Sequence, residues 1–339
     1  MREIYIDIVK GLSVLCITLL HFEDGIFSNA LNIWIGSFMI TAFYFTSGWI
    51  MCLSQKEISL KSHIHKRIRQ LVFPYIWFTL IIILFDGILV LFGIKGYQLI
   101  LTDIYKTIVL RGIGTLWFLP ALFFSEIIAI VFLQRTLKWK IVITLATILY
   151  LSGYKYWNDT FAYGSELCRI VDAPLRTIYN IMRAWGVIVA GYYICNVFYR
   201  YIQLLSNRKL LIYGCFLMVA SFLSANYLDR LLPLFGEIDS VVWLFIAPIV
   251  GPFGLLLLAK ATEKWEVSSF LSFWGKNSLI LMATHYSILM EICILVNKTF
   301  WGQDGLSGFH SLLFFVVTIV FEYIVVYLIN TKAKFIIGK

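Results

Sequence analysis

The sequence predicts an all-α fold, a polytopic helical bundle set in a membrane. Three observations carry that expectation. Of the 339 residues, 60% are hydrophobic and only 14% are charged, against about 25% in an ordinary soluble domain. Mean hydropathy is +0.85. The apolar residues also gather into runs of the length a bilayer requires, roughly 20 per helix. A soluble chain of this size cannot cover so much apolar surface. Soluble enzymes, disordered proteins and nucleic-acid-binding domains are therefore excluded.

Ten spans are expected, because backbone polar groups in lipid must be satisfied within a helix or a closed barrel. The first, near 8–27, follows alternating acids and bases and reads as a mature helix, not a cleaved leader. The second and third lie near 31–53 and 71–93, joined by a basic stretch at 54–70. The fourth is near 116–133. The fifth, near 141–154, is short, and the sixth, near 178–198, carries Arg183 inside it. The remaining four lie near 210–228, 241–260, 277–296 and 311–330. Each boundary is good to about 2–4 residues. The whole chain, 1–339, reads as one membrane-embedded domain.

The net charge of +9 is explained by topology. With the N-terminus inside, 19 of the 28 Lys and Arg residues fall on the cytoplasmic side, as the positive-inside rule demands. An even number of spans places both termini in the cytoplasm. The six cysteines form no CxxC pair and no metal-ligand spacing, so they read as packing residues and no metal is expected.

Ionisable residues inside spans are costly and mark function by default. Lys10, His21, Glu23, Asp86, Glu126, Arg183, His285, Glu291 and Glu322 are such residues. Asp86 and Glu322 read as helix-packing or near-interface groups. His285 either bonds a neighbouring backbone carbonyl or contributes to a substrate site. Lys10 and His21 are more informative. Eleven helical steps of about 100° bring both to one face, ~16 Å apart along the axis. That pairs a cation near the cytoplasmic end with an imidazole near the outer end. The stretch 54–70 adds five Lys or Arg and two His against one acid. Lys66, Arg67 and Arg69 cluster there just before Pro74. The cluster suits positive-inside anchoring or phosphate binding equally well.

Several segments together resemble the acyltransferase 3 family of bacterial membrane proteins. YIDIVKGLSVLCITLLH (5–21) looks like its opening helix, with Lys10 where the usual pattern has arginine. FYFTSGWIM (43–51), HKRIRQLVFPY (65–75), LWFLPALFFSE (116–126) and WGKNSLILMATHY (274–286) are similar to further family segments. The resemblance implies transfer of an acyl group, usually acetyl from acetyl-CoA, to a hydroxyl of a cell-surface carbohydrate or glycolipid in the bacterial cytoplasmic membrane. By position it makes His21 the catalytic base and puts Lys10 in the place of the family arginine. The family's Arg-x-x-Arg pair falls on Arg67 and Gln70, so its second member is not arginine here. The hydrolase-like domain that some members add outside the membrane is not expected.

These readings combine into one scheme. Lys10, Lys66, Arg67 and Arg69 hold the phosphates of acyl-CoA on the cytoplasmic side. His21 takes the proton of the acceptor hydroxyl. Glu23 or Glu126 orients the imidazole. Ser47, Asn277 or Trp117 donates to the oxyanion. Trp117, Tyr44 and Trp49 are alternatives for a sugar platform. Expected partners are acyl-CoA, the saccharide acceptor and membrane lipid, with no nucleic acid. The competing reading is a transporter or exporter of a polysaccharide or lipid-linked saccharide. No internal repeat is visible to support it.

Overall fold

The computed structural model describes residues 3–22, 25–54, 59–163, 165–231, 237–302 and 308–339. It is 89% helix, with no strand among the described residues. Eight helical segments there are long and apolar enough to cross a membrane. Each of the ten expected spans falls on a helix. The two beyond the eight are the fifth, on Leu137–Tyr163, and the eighth, whose qualifying part is the shorter stretch Ile246–Ala261. The chain is a multi-pass membrane protein.

Helix α1 (Ile4–Phe22) lies at the centre of the bundle. Helix α2 (Asn29–Leu53) packs beside it. The basic stretch differs from a plain loop. Leu60–Arg67 is a helix, α3, and it runs through a π-helical turn at Ile68–Val72 into α4 (Phe73–Leu91). Pro74 accounts for the widened turn. It has no N–H to donate back, and its ring crowds the carbonyl of residue i−4, which is Gln70.

Between spans, α5 (Gln98–Ile108) leads through a tight loop and a 3₁₀ turn at Gly114–Trp117 into α6 (Phe118–Leu133). Then come α7 (Leu137–Tyr163), α8 (Glu166–Leu204), α9 (Asn207–Leu231) and α10 (Glu237–Ala261). The ninth span is preceded by α11 (Glu266–Lys276), an amphipathic helix laid along α1. The span itself is broken into α12 (Ser278–Thr284), a π-helical turn at His285–Met290, and α13 (Glu291–Trp301). The last span is α14 (Gly308–Lys332).

Two features hold these helices in place. The first is inverted amphipathicity. Helix α4 exposes Ile76, Leu80, Leu84 and Ile88 while burying Thr79 and Asp86. Helix α14 exposes Leu312, Val316 and Val320 while burying Ser311, Thr318 and Glu322. Apolar side chains face lipid and polar ones face protein, the reverse of a soluble bundle. The second is direct backbone contact through glycine. A Cβ on Gly11 would lie 1.8 Å from the carbonyl oxygen of Leu271, and one on Gly275 would lie 1.8 Å from that of Asp7. Only small residues let α1 and α11 approach so closely. Gly48 does the same for α2 and α8, where a Cβ would lie 1.8 Å from the carbonyl oxygen of Ile188.

Candidate functional site

His21 sits in the last turn of α1. Because the helix is unbroken from Ile4 to Phe22, Lys10 and His21 keep the one-face relation expected of them. The His21 ring lies 5.3 Å from that of His285 and 4.6 Å from that of Tyr286, centroid to centroid. Both partners belong to the π-helical turn of the ninth span. Such turns insert an extra residue and redirect side chains, often at functional sites. His285 is fully buried. Its Nδ1 is 2.6 Å from the carbonyl oxygen of Leu281. A carbonyl only accepts, so Nδ1–H donates and the neutral ring keeps its lone pair on Nε2. That Nε2 has no hydrogen-bond partner among the described residues. The backbone bond anticipated for His285 is present, and its ring also lies beside that of His21, which the sequence did not foretell.

His21 opens onto a cavity of about 470 Å³. Ile17, Ile40, Phe118 and Met282 supply apolar wall, while Trp117 and Tyr286 supply aromatic faces. Thr115, also on the wall, donates to the carbonyl oxygen of Met282 at 2.5 Å and ties the 3₁₀ turn to α12. Two cations complete the lining, Lys106 from α5 and Arg111 from the loop after it. Neither was singled out from the sequence. They lie outside the spans, where a lone base attracts no notice.

A second polar cluster surrounds Glu126, which is fully buried in α6. Its carboxylate accepts from Ser47 Oγ at 2.5 Å, from Arg67 at 2.5 Å and pairs with His63 Nε2 at 3.0 Å. Arg67 donates through its second terminal nitrogen, Nη1, to Gln70 Oε1 at 3.0 Å. A buried carboxylate is tolerable only when paired and hydrogen-bonded in this way. The cluster corrects two expectations. Glu126 spends its carboxylate on the basic helix, not on the His21 imidazole. Ser47 donates to Glu126 instead of an oxyanion beside His21. Gln70, three residues on, offers Arg67 an acceptor. Lys66 and Arg69 are exposed on the same helix, and Lys10 is half-buried.

Three further expectations are revised. Asn277 stands at the junction of α11 and α12, where Nδ2 donates to Phe273 and Oδ1 accepts from Asn330 at 2.8 Å. It lines no part of the His21 cavity. Tyr44 and Trp49 are buried in the core. Tyr44 stacks on Phe118, and Trp49 donates to the Tyr5 hydroxyl. Of the aromatic residues considered for a sugar platform, Trp117 alone lines the cavity. Glu23 lies outside the described residues. Glu322 accepts from Thr284 at 2.5 Å, which ties α14 to the turn just before His285.

No curated protein and no solved structure matches the chain. The family model described as an acyltransferase domain, Acyl_transf_3, does match, over residues 3–331. That range takes in α1 with His21, the Glu126 cluster, both π-helical turns and nearly the whole bundle, so the chain belongs to the acyltransferase 3 family and is a membrane acyltransferase.

Proposed function

We propose that this protein is an O-acyltransferase of the bacterial cytoplasmic membrane. It moves an acyl group, acetyl in the simplest case, from acyl-CoA to a hydroxyl of a cell-surface carbohydrate or lipid-linked sugar. The observation that carries this reading is His21 on the wall of a cavity that also presents Trp117 and Tyr286, within an acyltransferase fold. Aromatic faces suit the apolar faces of a sugar ring, and an imidazole suits proton transfer near neutral pH.

In this mechanism the acceptor hydroxyl lies against His21. As its oxygen attacks the thioester carbonyl, the proton passes to the imidazole. The C–O bond forms, the carbonyl oxygen carries the negative charge, and the Trp117 indole N–H is the remaining candidate donor to it. Collapse breaks the C–S bond. The proton on His21 then goes to the departing CoA thiolate, restoring the base. The buried neighbour His285 fixes the position of the His21 ring. Exposed Lys66 and Arg69, with Lys10 deeper on α1, meet the donor phosphates from the cytoplasmic side. Arg67 anchors that helix through Glu126.

The test is transfer of labelled acetyl from acetyl-CoA by the purified protein to a panel of saccharides, read by mass spectrometry. A 42-dalton gain on a saccharide, about the mass of an acetyl group replacing a hydrogen, is the expected result for a transferase. Saccharide flux across vesicles with no acyl-CoA consumed would instead mark an exporter.

A further inference from the structure

The wall of the His21 cavity carries two cations, Lys106 and Arg111. Among the described residues lining it there is no carboxylate. This is unusual beside a group whose proposed work is to receive a proton, since a cation disfavours a protonated imidazole. Some other gain has to justify two positive charges there.

The loop that presents Arg111 is built with care. Leu110 has φ of +58°, the only positive φ outside glycine among the described residues. A leucine there is strained, because its Cβ crowds the following carbonyl. The backbone N–H groups of Arg111 and Gly112 both return to the carbonyl of Lys106, at 2.8 and 3.1 Å. Gly112 and Gly114 also take positive φ. A Cβ on Gly112 would lie 2.4 Å from the Trp117 nitrogen, and one on Gly114 would lie 2.2 Å from Ser287 Oγ. The loop is thus folded tightly onto the 3₁₀ turn and the π-helical turn. Neighbouring helices pin it. Tyr75 donates to Thr107 at 3.1 Å and Thr177 donates to Val109 at 3.2 Å. Strain held by surrounding structure at a cavity is a mark of a functional constraint.

The nearby acids Asp172 and Asp103 act on these cations and on other groups as well, and neither lines the cavity. Asp172, the acid facing Arg111, accepts from Tyr154 at 2.7 Å and pairs with Arg176 at 3.3 Å. Asp103, on the helix that carries Lys106, is hydrogen-bonded to Asp86. Lys106 and Arg111 are thus the charged side chains on the cavity wall among the described residues.

We infer that Arg111 and Lys106 clamp an anionic group of the acceptor, so that the saccharide acylated at His21 carries a phosphate or a carboxylate. The inference rests on the proposed acyl transfer and narrows its acceptor class. A planar guanidinium offers paired donors to either oxyanion, and the ammonium adds a second charge. The aromatic faces of Trp117 and Tyr286 receive the sugar while the clamp fixes which hydroxyl meets His21.

The test measures binding to the purified protein in neutral detergent, apart from turnover. The probes are methyl β-glucoside, methyl β-glucuronide, dodecyl-phosphate-linked glucose and dodecyl phosphate alone. At least one charged sugar is expected to bind about tenfold or more tightly than the neutral glucoside, consistent with a charge-assisted contact. Arg111→Ala and Lys106→Ala each remove most of that advantage and leave the neutral glucoside within about twofold. Arg111→Lys restores part of it, which separates charge from folding. Preference for the glucuronide places the anion on the sugar ring, and preference for the phosphate-linked glucose places it at the lipid junction. Equal binding of neutral and charged sugars would overturn the clamp. So would binding of dodecyl phosphate as tight as its glucose conjugate, since the site would then read a lipid headgroup. Charge-selective binding lost in Arg111→Ala, without acyl transfer to any probe, would uphold the clamp and sink the transfer mechanism. Transfer indifferent to acceptor charge would do the reverse.

Discussion

His21 and His285 form a pair in which one ring is reachable and the other is sealed. His285 donates through Nδ1 to Leu281 and stays buried, so in the proposed mechanism it acts by positioning the ring beside it. His285→Gln is expected to lower kcat by about tenfold or more and to displace the pH–rate profile, with KM for acyl-CoA unchanged. A purely structural role would move thermal stability and leave the pH profile alone. His21 was legible in the sequence because a polar ring at the end of an apolar helix, eleven residues from a lysine, stands out against its surroundings. Arg111 was not. Its approach to the cavity depends on left-handed turns at Leu110, Gly112 and Gly114, and neither periodicity nor composition records which way such a loop folds back. The partners of Glu126 were hidden for a related reason. Arg67 and His63 lie about sixty positions away in sequence, and only the packing of α3 against α6 brings them together.

At the scale of elements, apolar runs of about 20 residues made the spans readable, while the interruptions within them were not. Neither IRQLV at Ile68–Val72 nor HYSILM at His285–Met290 holds a glycine or proline of its own to mark the turn. The proline after the first is a visible cause, but nothing comparable marks the second. The short α11 was missed because eleven amphipathic residues are too few to register as a span. The tie between α3 and α6 should be strong. Arg67→Ala leaves a fully buried carboxylate with reduced pairing, and in donor-free detergent solution it is expected to lose about 3–5 kcal/mol, read as a fall in melting temperature. Adding Glu126→Gln should recover part of that loss. On α5, between spans, burial first and then the neighbouring Asp86 push the Asp103 carboxyl up to about 6. Its folded value lies above the unfolded one, so the folded state binds the proton more tightly. The contribution to stability is present below about pH 4 and falls as pH rises through about 6. Asp103→Asn should therefore flatten stability between pH 4.5 and 7.5, as followed by thermal melting. An unchanged slope would place the proton on another group.

For the molecule as a whole, the proposed mechanism joins the basic helix α3, read as cytoplasmic, to the cavity beside His21 at the end of α1. In the proposed mechanism the central helix would offer Lys10 to the donor and His21 to the acceptor, and glycine contacts hold it against α11. That geometry suits a membrane acyltransferase in which donor and acceptor arrive from different sides. The most direct measurement uses proteoliposomes with labelled acetyl-CoA at the cytoplasmic face and the saccharide acceptor at the other. The wild-type protein should deliver label to the acceptor. His21→Ala should lower that transfer by about 10²–10⁴-fold while acetyl-CoA binding stays within about twofold. Transfer by His21→Ala at the wild-type rate would contradict the account.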